Sequence, residues 1–192
     1  MHYGTAFIAL ALLLAPGFQS TAEPRVGDKS ALSQRAVLYE GDPANPKGRR
    51  SAGTVVWRTE KILGPGQASE LAIRADVEIP GRDMRMTWSL RPNIDRSLTA
   101  SHIIDIEFEL PNSFSEGGVN KLSGVEMRME EHGTARPLFG QIRTVGIGHF
   151  QMVITEDDFY LRNIELIRKR GWFAIPMVYM SGRRAILEME KR

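Results

Sequence analysis

Between Leu71 and Arg91 the chain alternates apolar and polar residues almost without a break. Leu71-Ala72-Ile73-Arg74-Ala75-Asp76-Val77-Glu78-Ile79 does so first, and Met84-Arg85-Met86-Thr87-Trp88-Ser89-Leu90-Arg91 repeats it. Period two marks a strand with one buried face. Pro80-Gly81-Arg82-Asp83 joins the two runs, and Gly81 is expected to open a tight type II′ turn. The resulting register pairs Ile79 with Met84, Val77 with Met86 and Ala75 with Trp88, which collects the apolar side chains on one face. It also sets Glu78 opposite Arg85 on the other face. A slip of one residue would turn every apolar side chain to water, so the register is strongly specified.

Further segments follow the same rule. Arg35-Ala36-Val37-Leu38-Tyr39-Glu40 and Thr54-Val55-Val56-Trp57-Arg58-Thr59-Glu60 read as strands, separated by a dense loop signal from Gly41 to Gly48 and closed by Gly64-Pro65-Gly66. Residues 101–110 put His102, Ile104, Ile106, Phe108 and Leu110 on one face and Asp105, Glu107 and Glu109 on the other. A loop from Pro111 to Gly118 precedes the alternating run Val125–Glu130. Residues 142–155 form two apolar stretches around Gly146-Ile147-Gly148, a hairpin or bulged strand. At the C-terminus Phe173, Ile175 and Met177 face Ala185, Leu187 and Met189 if Met180-Ser181-Gly182 is a three-residue loop with Gly182 left-handed.

One helix interrupts the strands, at about 155–170. Thr155 is placed to cap it, Glu156, Asp157 and Asp158 fill its first turn, Arg168, Lys169 and Arg170 its last, and Gly171 follows. Acid first, base last and glycine after agree with the helix dipole and capping rules. Tyr160, Ile164 and Ile167, with Leu161 beside them, form the packing stripe. The fold class expected is therefore mostly β: an antiparallel β-sandwich or partly closed barrel carrying one α-helix in its C-terminal half.

The N-terminus sets the compartment. Residues 7–15, FIALALLLA, are an unbroken apolar run, ended by Pro16-Gly17, and Ser20-Thr21-Ala22 supplies the small residues a signal peptidase requires. Nine apolar residues fall short of the about 20 needed to span a bilayer. The reading is a Sec-type signal peptide over 1–22, cleaved between Ala22 and Glu23, a flexible leader over 23–34, and a single β-rich domain over 35–192. The protein is then periplasmic or secreted. The n-region holds His2 but no Lys or Arg, so an uncleaved membrane tether stands as the alternative. With no Cys, the domain has neither a disulfide nor a lipidation site of the bacterial lipoprotein kind. A domain of this length buries roughly 70% of its unfolded surface, enough for a self-sufficient core.

The formal net charge is +2, with the two signs interleaved rather than sorted into a basic face, which argues against nucleic acid as a partner. The basic clusters are Lys47-Gly48-Arg49-Arg50, Arg168-Lys169-Arg170 and Arg183-Arg184. Motifs for chemistry are missing. There is no His-x-x-x-His, no His-Glu-x-x-His, no Cys ligand, no Gly-x-Ser-x-Gly elbow and no phosphate-binding glycine loop. Glu130, Glu131 and His132 are adjacent, and neighbours on a strand point to opposite faces, so they make a poor metal site. Trp57, Trp88 and Trp172 sit in strand patterns as core anchors, a sugar-stacking platform being the alternative. No catalytic residue, metal or cofactor is assigned.

Several stretches carry a resemblance: AVLYEGDP at 36–43, VWRTE at 56–60, TWSLR at 87–91, Ala100-Ser101-His102, Leu138-Phe139-Gly140, and above all RGWFAIPMVY at 170–179 with GRRAIL at 182–187. Together they resemble an uncharacterised family of exported or membrane-tethered alphaproteobacterial proteins with no assigned activity. The resemblance implies an envelope location and no site residue. The functional expectation is an exported envelope binding domain of unspecified ligand. Lys47, Arg49, Arg50, Arg183 and Arg184 are its candidate contacts to an acidic partner. Two alternatives stand beside it: an envelope enzyme built from sequence-distant residues such as His102, His149 and Asp157, and a tethered accessory or sensor domain.

Overall fold

The computed structural model of the protein describes residues 33–63, 69–95, 97–155 and 159–191. The signal segment, the leader up to residue 32, the Gly64-Pro65-Gly66 turn and residues 156–158 lie outside the described residues. Among the described residues there are twelve strands and one α-helix. In chain order they are β1 (Gln34–Asp42), β2 (Asn45–Leu63), β3 (Ser69–Ile79), β4 (Met84–Pro92), β5 (His102–Glu109), β6 (Val119–Leu122), β7 (Glu126–Arg128), β8 (Arg136–Pro137), β9 (Gln141–Gly146), β10 (His149–Ile154), α1 (Tyr160–Lys169), β11 (Trp172–Tyr179) and β12 (Arg184–Glu190). All strand pairings are antiparallel. They form one sheet in the order β8-β7-β11-β12-β1-β2-β3-β4-β5-β10-β9, with β6 sharing an edge of β11 with β7.

Of the two architectures expected, the partly closed barrel is the one formed: a single sheet curled into a half-barrel. The curl is measurable. Phe173 of β11 and Trp88 of β4 are five strands apart along the sheet, yet their ring centroids are 4.7 Å apart across the concave interior. Trp57 of β2 completes the triad, 5.4 Å from Trp88 and 5.6 Å from Phe173. Aromatic groups at these spacings gain roughly 0.5–1.5 kcal/mol per pair beyond their burial.

The core follows from register. Val55, Val77, Met86 and Phe108 form one row across β2–β5, and Trp57, Ala75, Trp88, Ile106 and Phe150 form the next, extended to β10. On the other flank Leu38, Leu187 and Ile175 align across β1, β12 and β11. These side chains, except the partly exposed Trp57, are buried and belong to one cluster, to which Val119 and Leu122 of β6, Met127 of β7, and Phe114, Val125 and Leu138 of the connecting segments also contribute.

Both predicted hairpins have the expected registers: Ile79–Met84, Val77–Met86, Ala75–Trp88 and Glu78–Arg85 in one, and Phe173–Met189, Ile175–Leu187 and Met177–Ala185 in the other. Gly182 is left-handed, φ +84°, as its loop requires. The first turn differs from expectation. Pro80–Arg82 forms a single 3-10 turn, and the left-handed residue is Asp83 at φ 48°, not Gly81. Pro80 starts such a turn readily because its φ is already fixed near −65°. The loop expected from Gly41 to Gly48 shrinks to the two residues Pro43-Ala44, because β2 begins at Asn45. A register irregularity between Glu40 and Asp42 and a positive φ of 68° at Gly48 absorb the glycines within the paired strands.

The helix starts later than expected. Its first residue is Tyr160, preceded by Phe159, and Thr155 lies outside it. The three acids proposed for its first turn fall outside the described residues. At its C-terminus Arg170 is extended and its N–H reaches the Leu166 carbonyl, so Gly171 is not a left-handed cap. The packing stripe is also rotated. Leu161 is exposed, whereas Asn163 is buried and Tyr160, Leu166 and Ile167 meet the core. Asn163 explains the phase: its amide accepts from Phe139 N–H and donates to Phe139 C=O, both at 2.8 Å, and thereby pins α1 to the segment before β9.

Candidate functional site

A half-barrel has two mouths, and here they differ in chemistry. One lies where β2 runs into β3, β4 ends and β11 begins, under α1. It holds a cleft of about 180 Å³ lined by Trp57, Ile73, Trp88, Leu90, Ile167, Phe173 and Lys191. Six of the seven are apolar or aromatic: five are outer members of the concave rows, and Ile167 comes from α1. Ile73 pairs with Thr59 and Leu90, one step beyond the Trp57–Ala75–Trp88 row. The apolar surface continues outward. Leu63, Leu71 and Ile73 share the concave face of the β2–β3 hairpin by register and are 74%, 61% and 44% exposed.

Two polar groups enter this setting. Trp57 donates its indole N–H to the Glu190 carbonyl at 2.7 Å. Lys191 directs its ammonium to the Ile167 carbonyl in the last turn of α1, and burial lowers its pKa from the ordinary lysine value. Among the described residues Lys191 has no ion pair. Trp88, which also lines the cleft, has a buried indole N–H with no hydrogen-bond partner among the described residues.

The opposite mouth is charged. Glu40, from β1, is 2% exposed and accepts from Arg82 Nε, 3.0 Å from one carboxylate oxygen and 3.2 Å from the other. Glu116, 6% exposed, meets Arg183 Nη1 at 3.0 Å and accepts from Ser181 Oγ at 2.6 Å, while Arg82 Nη2 lies 3.8 Å away. Arg82 also stacks 5.0 Å above the Phe114 ring. The Tyr179 phenol is buried beside Glu40. Burial first and the Glu40 carboxylate second push its pKa far above the ordinary tyrosine value. These groups come from the first strand, the 80–83 turn, the 111–118 loop and the last hairpin, so only the fold brings them together.

The five basic residues expected to contact a partner cluster at this same end, because β1 pairs with both β2 and β12 and so sets the two hairpin tips side by side. Lys47, Arg49 and Arg184 line one shallow cleft with Tyr39, Glu40, Asp42 and His132, and Arg183 and Arg184 line another with Asp42 and Pro43. They are not equivalent. Arg50 is bound to Glu131 at 2.8 Å and Arg183 to Glu116, whereas Lys47, Arg49 and Arg184 make no ion pair among the described residues.

The residues weighed for an enzyme do not converge. His102 pairs with Ile154 and His149 with Glu107, at opposite ends of the β5–β10 ladder, roughly 17 Å apart at 3.4 Å per residue. His102 stacks on Tyr160 at 5.8 Å, while Asp157 lies outside the described residues. On the convex face His149 Nε2 lies 2.9 Å from Asp105, which also accepts from Gln151 at 2.8 Å and Arg91 at 2.9 Å. Burial would raise the Asp105 pKa, but His149, Gln151 and Arg91 outweigh it and hold the carboxyl below its ordinary value. Among the described residues no group of three His, Cys, Asp or Glu is placed to hold a metal ion.

Sequence reasoning missed the cleft. Trp57 and Trp88 read as core anchors, which Trp88 is at 1% exposed, but nothing in the alternation said that α1 would leave the outer edge of their row uncovered. Leu71, at the outer end of the β3 alternation, was the available signal: with Ile73 it extends the apolar face past Ala75, the last buried residue of that face. Comparison with protein-family models, with curated proteins and with solved structures gave no match.

Proposed function

We propose that this protein is an exported binding domain of the cell envelope, and that its ligand site is the cleft beneath α1. The observation that carries the reading is the continuity of that cleft with the exposed leucines of the β2–β3 hairpin. Contiguous apolar surface that a fold leaves uncovered marks a place of interaction, and a concave apolar site with few polar groups is the usual form of a small-ligand pocket. Trp57 and Trp88 in its wall make the test direct. Titrating the protein with a water-soluble long-chain alcohol is expected to shift and saturate its tryptophan emission, and Ile73→Asp is expected to abolish the change. Emission unmoved by any amphiphile would overturn the site.

The export half of the reading is supported by the apolar run at 7–15, the small residues at 20–22 and the alphaproteobacterial resemblance. Among the described residues no helix is long and apolar enough to cross a membrane. N-terminal sequencing of the protein isolated from an envelope fraction is expected to begin at Glu23. A retained Met1 would favour the tethered form instead.

A second contact, with an acidic partner, is favoured by the convergence of Lys47, Arg49 and Arg184 at the charged mouth. Replacing these three together with Arg50 and Arg183 by Ser is expected to reduce recovery of envelope partners in a pull-down. Unchanged recovery would dispose of it.

A further inference from the structure

The geometry points to the class of ligand: a single-chain amphiphile with an anionic head, of the fatty-acid type, its alkyl chain in the cleft beneath α1 and its carboxylate on Lys191. The inference rests on the cleft being the ligand site.

Size limits the chain. An apolar cavity of about 150 Å³ accommodates one benzene-sized group. At about 180 Å³ this cleft takes one alkyl segment and has no room for the paired chains of a bilayer phospholipid. The remainder of a long chain has a path outward, over Ile73 and Leu71 to Leu63 on the concave side of the β2–β3 hairpin.

Charge selects the head. Lys191 lies with its stem against apolar residues and its ammonium at the rim, the usual division of a long basic side chain. One of its three donors is taken by the Ile167 carbonyl, and two are left for acceptor oxygens. Capping the last turn of α1 would by itself account for a lysine. It does not account for a part-buried cation with no acid among the described residues to neutralise it. The hairpin surface beyond the cleft has the same bias. Lys61 lies opposite Leu71 on the concave side, while Glu60 and Glu70 lie on the other face. A carboxylate arriving from solvent thus meets two cations and, among the described residues, no acid on the path, and a cationic head meets repulsion.

The test uses the purified mature protein and reads tryptophan emission, with calorimetry as a second readout. The probes are dodecanoate, dodecanol and dodecyltrimethylammonium, the two ionic ones below their micelle concentrations and dodecanol below its solubility limit. Dodecanoate is expected to bind at least about tenfold more tightly than dodecanol, as one charge-assisted hydrogen bond would give, and the ammonium probe more weakly than either. Lys191→Met, which keeps the apolar stem, is expected to bring dodecanoate down to the affinity of dodecanol and leave dodecanol unchanged. Lys191→Arg is expected to preserve the preference. Dodecanol binding as tightly as dodecanoate, or dodecanoate indifferent to Lys191→Met in a variant that still folds, would overturn the head-group assignment while leaving the cleft as the site. Failure of all three probes would overturn both. Binding to phospholipid vesicles without binding of monomeric amphiphile would overturn the single-chain assignment.

Discussion

The two mouths of this half-barrel solve the same problem with opposite materials. At the charged mouth the concave rows end in Glu40, Arg82, Glu116 and Arg183, which satisfy one another across four separate segments of chain. At the apolar mouth the rows end in Trp57, Ile73 and Leu90, with one helix laid over them and one lysine at the rim. The first mouth has paired its own charges, and the buried atoms it leaves without a hydrogen-bond partner among the described residues, one Glu40 carboxylate oxygen and the Tyr179 hydroxyl, lie within that network rather than beside open apolar surface. The second leaves apolar surface in water and a cation without an acid among the described residues. Binding capacity in a fold of this kind lies where its own groups are not matched, so mutations at the two mouths should separate stability from recognition.

The largest effect is expected at the charged mouth. Arg82→Met leaves Glu40 buried with its bonded cation gone, and breaking a buried pair in this way costs about 3–5 kcal/mol. Urea denaturation should show the loss as a lowered midpoint with an unchanged slope. The double variant Glu40→Leu with Arg82→Met removes both charges and should recover most of it. Amphiphile binding at the far mouth should persist in any variant that folds. A double variant no better than the single one would show that Arg82 acts mainly through Glu116 and Phe114.

Alkaline titration separates the mouths by sign. In the unfolded chain Tyr179 loses its proton around its ordinary value of 10.0, but in the folded state it keeps it well beyond that. Its contribution is therefore complete below pH 10.0 and is lost as pH climbs above it, by up to about 1.4 kcal/mol per pH unit. Tyr39, raised by burial first and by its bond to Glu131 second, acts in the same direction but is nearer to solvent. Lys191 acts the other way. Its folded pKa is depressed by burial below the ordinary 10.5, so in the window beneath that value the unfolded state binds more protons and stability rises with pH. Denaturation midpoints measured from about pH 8 to 11 should thus fall less steeply in Tyr179→Phe and more steeply in Lys191→Met. Parallel curves for all three proteins would show that neither mouth governs the alkaline limb.

What the sequence disclosed divides along the same line. The rows that fill the barrel were legible, because alternation in 71–91 leaves one register that gathers its apolar residues on one face, and the Met180-Ser181-Gly182 loop fixes the register of the last hairpin. The curl was legible only as one of two options: alternation says which face is inside but not whether that face meets a second sheet or its own continuation. The 80–83 turn was misread because Gly81 looked like the left-handed residue, whereas Pro80 set a helical turn and Asp83 took the left-handed position. The helix start was misread because acids following a threonine satisfy the capping rules wherever they occur, and the packing of Asn163 onto Phe139 fixed the phase instead. Neither mouth was legible. The charged one joins residues up to 143 positions apart, Glu40 and Arg183, and the apolar one depends on how much of a row α1 covers.

A smaller effect on stability, and a large one on function, is expected at the apolar mouth. Ile73 is 44% exposed and its neighbours Leu71 and Leu63 more so. Ile73→Ser should therefore shift stability by no more than about 1 kcal/mol, while replacing apolar wall by a hydroxyl weakens the hold on an alkyl chain. The measurement is a melting curve beside a dodecanoate titration of the same preparation. A variant that loses stability in proportion to affinity would show that Ile73 is core, and the contrast between the mouths would fail on that side.

The smallest effect tests whether the charged mouth owes its strength to charge or to burial. Glu78 and Arg85 form the same kind of pair as Glu40 and Arg82, at 3.6 Å, but on the convex face with side chains 55% and 65% exposed. In water such a pair is screened and must also hold two long side chains in place, so its net contribution is about 0.2–1 kcal/mol. Arg85→Gln should accordingly move the urea midpoint by a small fraction of the Arg82→Met shift, and added salt should erase even that. The β3–β4 register should be untouched, because apolar burial on the concave face sets it and not this pair. Were Arg85→Gln to cost as much as Arg82→Met, burial would not be what distinguishes the two pairs, and the charged mouth would have to be understood as a surface network that happens to be covered.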